Sequence, residues 1–245
     1  MFGYLVAGVV GAMASQAGYQ SMAPTGQWYG RTFTGIPRGA KQIALTYDDG
    51  PNDPHTLRLL EVLARHDVRA TFFLIGQFVK QRPDIVRELA RAGHVIGNHT
   101  FSHPLLIFRS RATIRRELSD CNVAVADATG RTPDLFRPPF GGRRPVVLSI
   151  ARDMALEPVM WHVTGYDWNA PPADSIVRRV SRRIRGGDVI LLHDGGHLQM
   201  GADRSPTVIA TDQLIMRYKA EGYDFVTVPE MMGKAAVSNR PSAAR

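Results

Sequence analysis

Gln42-Ile43-Ala44-Leu45-Thr46-Tyr47-Asp48-Asp49-Gly50-Pro51 is an apolar run that ends in two adjacent carboxylates and a Gly-Pro turn. Such a run reads as a buried strand, and similar runs recur at 70–75, 95–98, 135–137, 158–163, 189–192 and 225–228. Between them lie stretches of helical period near 55–66, 84–92, 110–128, 143–154, 174–185 and 206–221. Pro83 opens one of these, and Gly93, Gly130 and Gly222 follow others. Strand and helix in alternation predict an α/β fold of βα units around a parallel sheet. A seven-unit barrel and an open doubly wound sheet both satisfy the pattern, because strand order is not written in one sequence.

Polar residues fall just after the predicted strands. Asp48 and Asp49 follow the first, His99 and His103 the third, Pro138 to Phe140 the fourth, Asp167 the fifth and His193 the sixth. Parallel strands gather such positions at their carboxyl ends, where active sites of these folds lie. Asp-Asp-Gly alone is weak, since turns favour Asp and Gly for backbone reasons. His99 and His103, at i and i+4, carry more weight: a helix or tight turn brings both imidazoles to one side, and imidazole suits zinc and similar ions. With Asp49 they form a three-ligand set with room for water, the open kind of site that catalytic metals use. Asp48 is then free to serve as general base, and His193 as the acid that protonates a departing nitrogen. Arg137 is placed to hold and orient the Asp48 carboxylate. The Phe140 N–H is placed to meet an oxyanion, and Asp167 to pair with His193 and raise its pKa. Trp168 offers a flat surface for a sugar ring or acetyl methyl group, and Trp161 reads as core.

The chain has 245 residues and a net charge of +8, enough length for one good-sized core. Most of the positive charge is Arg spread along helix faces, at 109–116 and 178–185, without interleaved aromatics, so nucleic-acid binding is not expected. The single cysteine, Cys121, excludes an intramolecular disulfide and reads as a packing residue. Residues 1–14 are apolar, too short to span a bilayer securely and without preceding Lys or Arg. An export signal or short anchor, with membrane proximity, stays open there; an envelope or exported setting is favoured and a cytoplasmic one not excluded. Residues 16–40 read as a linker or loosely wrapped arm, so the expected organisation is 1–40 segment and arm, 41–232 catalytic domain, 233–245 flexible tail.

These residues together resemble the NodB-homology polysaccharide deacetylases, carbohydrate esterase family 4, over roughly residues 41–230. The family's Thr-Phe-Asp-Asp-Gly motif is similar to Thr46–Gly50 with Tyr47 as the aromatic, its His-x-x-x-His to His99 and His103, its Arg-x-Pro-aromatic to Arg137, Pro139 and Phe140, and its Leu-x-His to Leu191 and His193. The resemblance implies a distorted (β/α)7 barrel and one divalent metal, usually zinc, on Asp49, His99 and His103. It implies Asp48 as base and His193 as acid, with an N-acetylated polysaccharide or oligosaccharide as substrate. One departure is visible: the Asp-x-x-Asp-Trp motif reads Thr164-Gly165-Tyr166-Asp167-Trp168, without its first Asp. Competing expectations are the same site acting on an O-acetyl ester or cyclic amide, a carbohydrate-binding pseudoenzyme, and an Arg-rich binder of anionic polymer.

Overall fold

The computed structural model describes residues 15–234. Its strands are β1 (Gln42–Asp48), β2 (Thr71–Leu74), β3 (Val95–Asn98), β4 (Leu135–Phe136), β5 (Glu157–Pro158), β6 (Val163–Thr164), β7 (Asp188–His193) and β8 (Asp224–Phe225). All pair in parallel in the order β5-β4-β3-β2-β1-β7-β6, and β8 joins the first residues of β1. Besides a helical segment at 15–22, the helices are α1 (His55–Arg65), α2 (Gly76–Gln81), α3 (Pro83–Arg91), α4 (Arg111–Thr129), α5 (Pro145–Asp153), α6 (Ala173–Ser181), α7 (Ser205–Ala220) and α8 (Val228–Met231). The sheet is a distorted barrel left open between β5 and β6.

That seam corrects the predicted fifth strand at 158–163. It is two short strands on opposite edges: β5 pairs with β4, β6 pairs with β7, and residues 159–162 cross between them. Residues of the predicted arm fill the gap. Phe33 bridges Val159 and Gly35 bridges Asp188, and Phe33 exchanges backbone hydrogen bonds with Pro158 O and the Met160 N–H at 2.9 and 2.7 Å. The predicted seventh strand is corrected too. Only Asp224–Phe225 pair, because Thr227 and Glu230 form a reciprocal capping box that starts α8. Helix α2 was not expected from the sequence.

The two-residue period of β1 decides what faces where. Ile43, Leu45 and Tyr47 join the cluster under the helices, whereas Ala44 packs inside the barrel with Phe73 and Val189. Thr46 and Asp48 point the same way as Ala44, so the inner face turns polar toward its carboxyl end. Gly97 lies beside Phe73 in the β2–β3 register, and a Cβ there would sit 2.5 Å from the Phe73 ring. Gly97→Ala is therefore expected to destabilise the protein by about 1–3 kcal/mol through overpacking, read as a lowered urea midpoint at unchanged m-value.

Among the described residues no helix is long and apolar enough to cross a membrane, so the expected membrane proximity finds no support there. The apolar residues 1–14 on which it rests lie outside the described residues, as does most of the predicted tail.

Candidate metal centre and active site

Asp48 ends β1, Asp49 follows it, and His99 follows β3. His103 closes a turn rather than a helix. Asn98 accepts the Thr100 N–H and Thr100 Oγ1 accepts the His103 N–H, while Glu117 of α4 accepts the N–H groups of Phe101 and Ser102. Asp49, His103 and Phe140 all have left-handed backbone, at φ 75, 58 and 57°. Non-glycine residues hold such conformations only where their surroundings over-determine them, at about 1–3 kcal/mol each.

Asp49, His99 and His103 are buried, and one ligand atom from each lies within 4.8 Å of the others. The atoms they present are suited to a cation. Asp49 Oδ1 is 3.5 Å from His99 Nε2 and 3.2 Å from His103 Nε2, yet it accepts no well-formed hydrogen bond. His99 Nδ1 meets Arg137 O at 2.7 Å, which fixes the tautomer with the Nε2 lone pair toward Asp49. Burial favours the neutral acid at Asp49, but the His103 contact and the nearby imidazoles outweigh it and hold the carboxyl well below the usual range. Burial likewise pushes His99 down to about 4, leaving it neutral and able to donate its lone pair. A buried anion with an unpartnered oxygen, set between two buried imidazoles of which His99 is neutral, fits a divalent cation.

Arg137 is fully buried and pairs with Asp48. Its Nη1 donates to Asp48 Oδ1 at 2.7 Å and to Thr46 Oγ1 at 2.8 Å, Nη2 to Met160 O at 3.2 Å, and the guanidinium lies 4.1 Å from the Phe73 ring centroid. Across the cavity Asp167 accepts His193 Nδ1 at 2.8 Å, the His193 N–H at 2.7 Å and the Thr207 hydroxyl at 2.8 Å. Burial would lower the His193 pKa, but Asp167, Asp49 and Asp48 push it up to about 9. Thr164, where the resembled motif has its first acid, accepts the Tyr166 N–H and so keeps the turn leading to Asp167.

Asp48, Asp49, His99, His103 and His193 open on one cavity of about 800 Å³, lined also by Phe140, Trp168 and Leu191, while Arg137 and Asp167 are buried behind them. Trp161 lines it as well, in addition to packing against the core cluster of Ala44, Phe73 and Val189. Sequence reasoning missed Thr207, Glu117 and His197, whose ring stacks on His103 at 4.8 Å. It also missed the setting of Asp194, which is buried against the Thr56 hydroxyl and Gly50, and whose carboxyl burial pushes up to about 7.

The Asp167 pair makes a pH prediction. A group whose folded pKa lies above its ordinary 6.5 lends stability that is complete below pH 6.5 and gone above about 9. For the acid role expected of His193 the sign is the same, since a general acid acts in its protonated form. Asp167→Asn is expected to move the alkaline limb of kcat toward lower pH. A bound cation acts on both proteins, so the difference between the two profiles reports Asp167 itself.

The profile of the family described as Polysaccharide deacetylase matches residues 35–159. A peptidoglycan-N-acetylglucosamine deacetylase of Bacillus cereus is 36% identical over 199 residues, covering 80% of this chain and 91% of that protein. A chitooligosaccharide deacetylase of Rhizobium leguminosarum bv. trifolii is 36% identical over 196 residues, covering 78% and 91%. Among solved structures, a peptidoglycan N-acetylglucosamine deacetylase superposes with a TM-score of 0.76 at 36% identity, covering 84% of this chain and 94% of that one. A pseudoenzyme of carbohydrate esterase family 4 from Bacillus anthracis superposes with a TM-score of 0.75 at 32% identity, covering 82% and 68%. The shared fold therefore accommodates a deacetylase and a pseudoenzyme alike.

Proposed function

This chain belongs to the polysaccharide deacetylase family, and from that premise we propose that it removes acetyl groups from N-acetylglucosamine-containing glycans, with Asp49, His99 and His103 holding one divalent cation, zinc by preference. The observation that carries this reading is the convergence of Asp48, the Asp49–His99–His103 trio and His193 on one cavity. The set is also what disfavours the pseudoenzyme reading, since a purely binding protein has no use for it.

When bound, the cation supplies Lewis acidity, polarising the acyl oxygen and making water a stronger acid. The remaining work falls to the chain. Arg137 aims the Asp48 carboxylate, which takes the proton of the attacking water. The Phe140 N–H meets the charge that develops on the acyl oxygen. His193, oriented by Asp167, gives its proton to the departing nitrogen. Leu191 and Trp168 form the apolar wall against the acetyl group and sugar, with the Trp168 ring edge-on to His193 at 5.8 Å.

An amine leaves badly without a proton, whereas an activated phenol leaves without one. His193→Ala is expected to slow amide substrates by about 10²–10⁴ while aryl acetates lose much less; equal losses on both remove His193 from the acid role. The reaction class is tested by acetate release, measured side by side on N-acetylglucosamine oligomers and an O-acetylated xylo-oligomer. Preference for the N-acetyl substrate supports the proposal. Preference for the ester moves the site to the O-acetyl reading.

A further inference from the structure

Arg143 is 1% exposed, and among the described residues no carboxylate pairs with it. Its guanidinium donates only to main-chain oxygens: Nη1 to Gly141 O at 3.0 Å, and Nη2 to Ala23 O and Gly26 O, both at 2.6 Å. Its own N–H donates to Ser21 O at 2.9 Å. A buried cation without an anion is costly unless each donor is matched, and the planar, rigid fork of Arg matches several acceptors at once. The carbonyls it joins belong to two distant pieces of chain. One is the segment 21–26, which lies outside the 35–159 match to the family. The other is the loop that carries Phe140.

That loop needs outside support. Phe140 and Gly141 are consecutive residues of left-handed backbone, at φ 57 and 70°. A Cβ on Gly141 would lie 3.0 Å from Trp161 and 3.6 Å from Met22 O, so the loop runs between the cavity wall and the arm. The Phe140 ring stands edge-on to the metal ligand His103, with centroids 4.6 Å apart.

We propose that segment 21–26 and Arg143 form a brace that sets the position of the Phe140 loop in the reaction, which makes Arg143 a positioning residue. The brace rests on the reading of the Phe140 N–H as the oxyanion donor. It acts on the transition state, because that N–H matters most when the acyl oxygen gains charge, and a small misplacement of such a donor is costly.

The test uses full-length, zinc-loaded protein, well below each variant's melting temperature, with kcat and KM on an N-acetylglucosamine oligomer and an aryl acetate. Arg143→Gln removes the fork. Gly26→Val disturbs the brace from the other side, because a Cβ there would displace the Gln20 side chain, whose Oε1 would lie at 2.5 Å, and would sit 3.1 Å from Arg143 Nη2 and 3.2 Å from Ala23 O. Both variants are expected to lose about ten- to a hundredfold in kcat. KM should stay within about twofold and the loss should be equal on amide and ester, since both pass through an oxyanion. Bound zinc is unchanged, the double variant is no worse than the worse single, and Arg143→Lys recovers part of the rate. Gly18→Ala, in the same arm with nothing within 4 Å of its added methyl, behaves as wild type. If Arg143→Gln does not fold, Gly26→Val and Arg143→Lys carry the same comparison. A lowered melting temperature at wild-type kcat, multiplicative losses in the double variant, or loss of zinc would each overturn the brace. Failure of the deacetylase reading shows elsewhere, as wild-type protein that releases no acetate in a chelator-sensitive way.

Discussion

Asp48→Asn is expected to keep its metal and lose about 10²–10⁴ in kcat, the range that a positioned general base contributes. Asparagine keeps the size of the side chain and one oxygen for Arg137 Nη1, now 2.7 Å from Asp48 Oδ1, so the barrel's polar interior stays assembled. On the proposed mechanism, what disappears is the acceptor for the water's proton. The buried guanidinium also loses its only carboxylate partner among the described residues, and removing the anion of such a pair is expected to cost stability, up to about 3–5 kcal/mol. The two effects separate experimentally: metal content and kcat at low temperature report the chemistry, and denaturant midpoints report the pair. Normal turnover in this variant would remove Asp48 from the base role.

His99→Ala is expected to lose metal and activity together. Its ring supplies the Nε2 that faces Asp49, and its Nδ1 is tied to Arg137 O, so truncation removes the proposed ligand and its tether at once. Loss of a mere supporting partner costs about 10–100-fold in metal affinity, and loss of a ligand is expected to exceed that. Activity should fall to background at stoichiometric metal and return in part only at high metal concentration. Equilibrium dialysis against zinc, with acetate release on the same samples, checks both. A variant that binds metal as the wild type does would take His99 out of the centre.

The parts of the site that could be read from the sequence are those carried by short stretches with one strong local reason. β1 is an apolar run broken by two carboxylates, and the strand period alone places Asp48 on the inner face. His99 and His103 share one turn, so their spacing is enough to bring them together. The polar supports behave differently. Thr207 reaches Asp167 across 40 residues, and Arg143 reaches Ala23 and Gly26 across 120 and 117. Threonine and arginine on a helical stretch or in a loop look the same whether they point to solvent or to a distant carbonyl. The seam was hidden for a related reason: residues 158–163 suit a strand locally, and only the failure of the barrel to close divides them between two edges. Thr227 and Glu230 did carry a readable signal, a Thr-x-x-Glu capping box that an apolar run from Phe225 obscured.

The central claim is that one cation on Asp49, His99 and His103 makes this chain a deacetylase. The most direct measurement is a titration of metal-stripped protein with zinc while acetate release from N-acetylglucosamine oligomers is followed. The account predicts no release after chelation and a linear return that levels off at one equivalent per chain. Release that persists without metal, or that returns equally in Asp49→Ala, would contradict it.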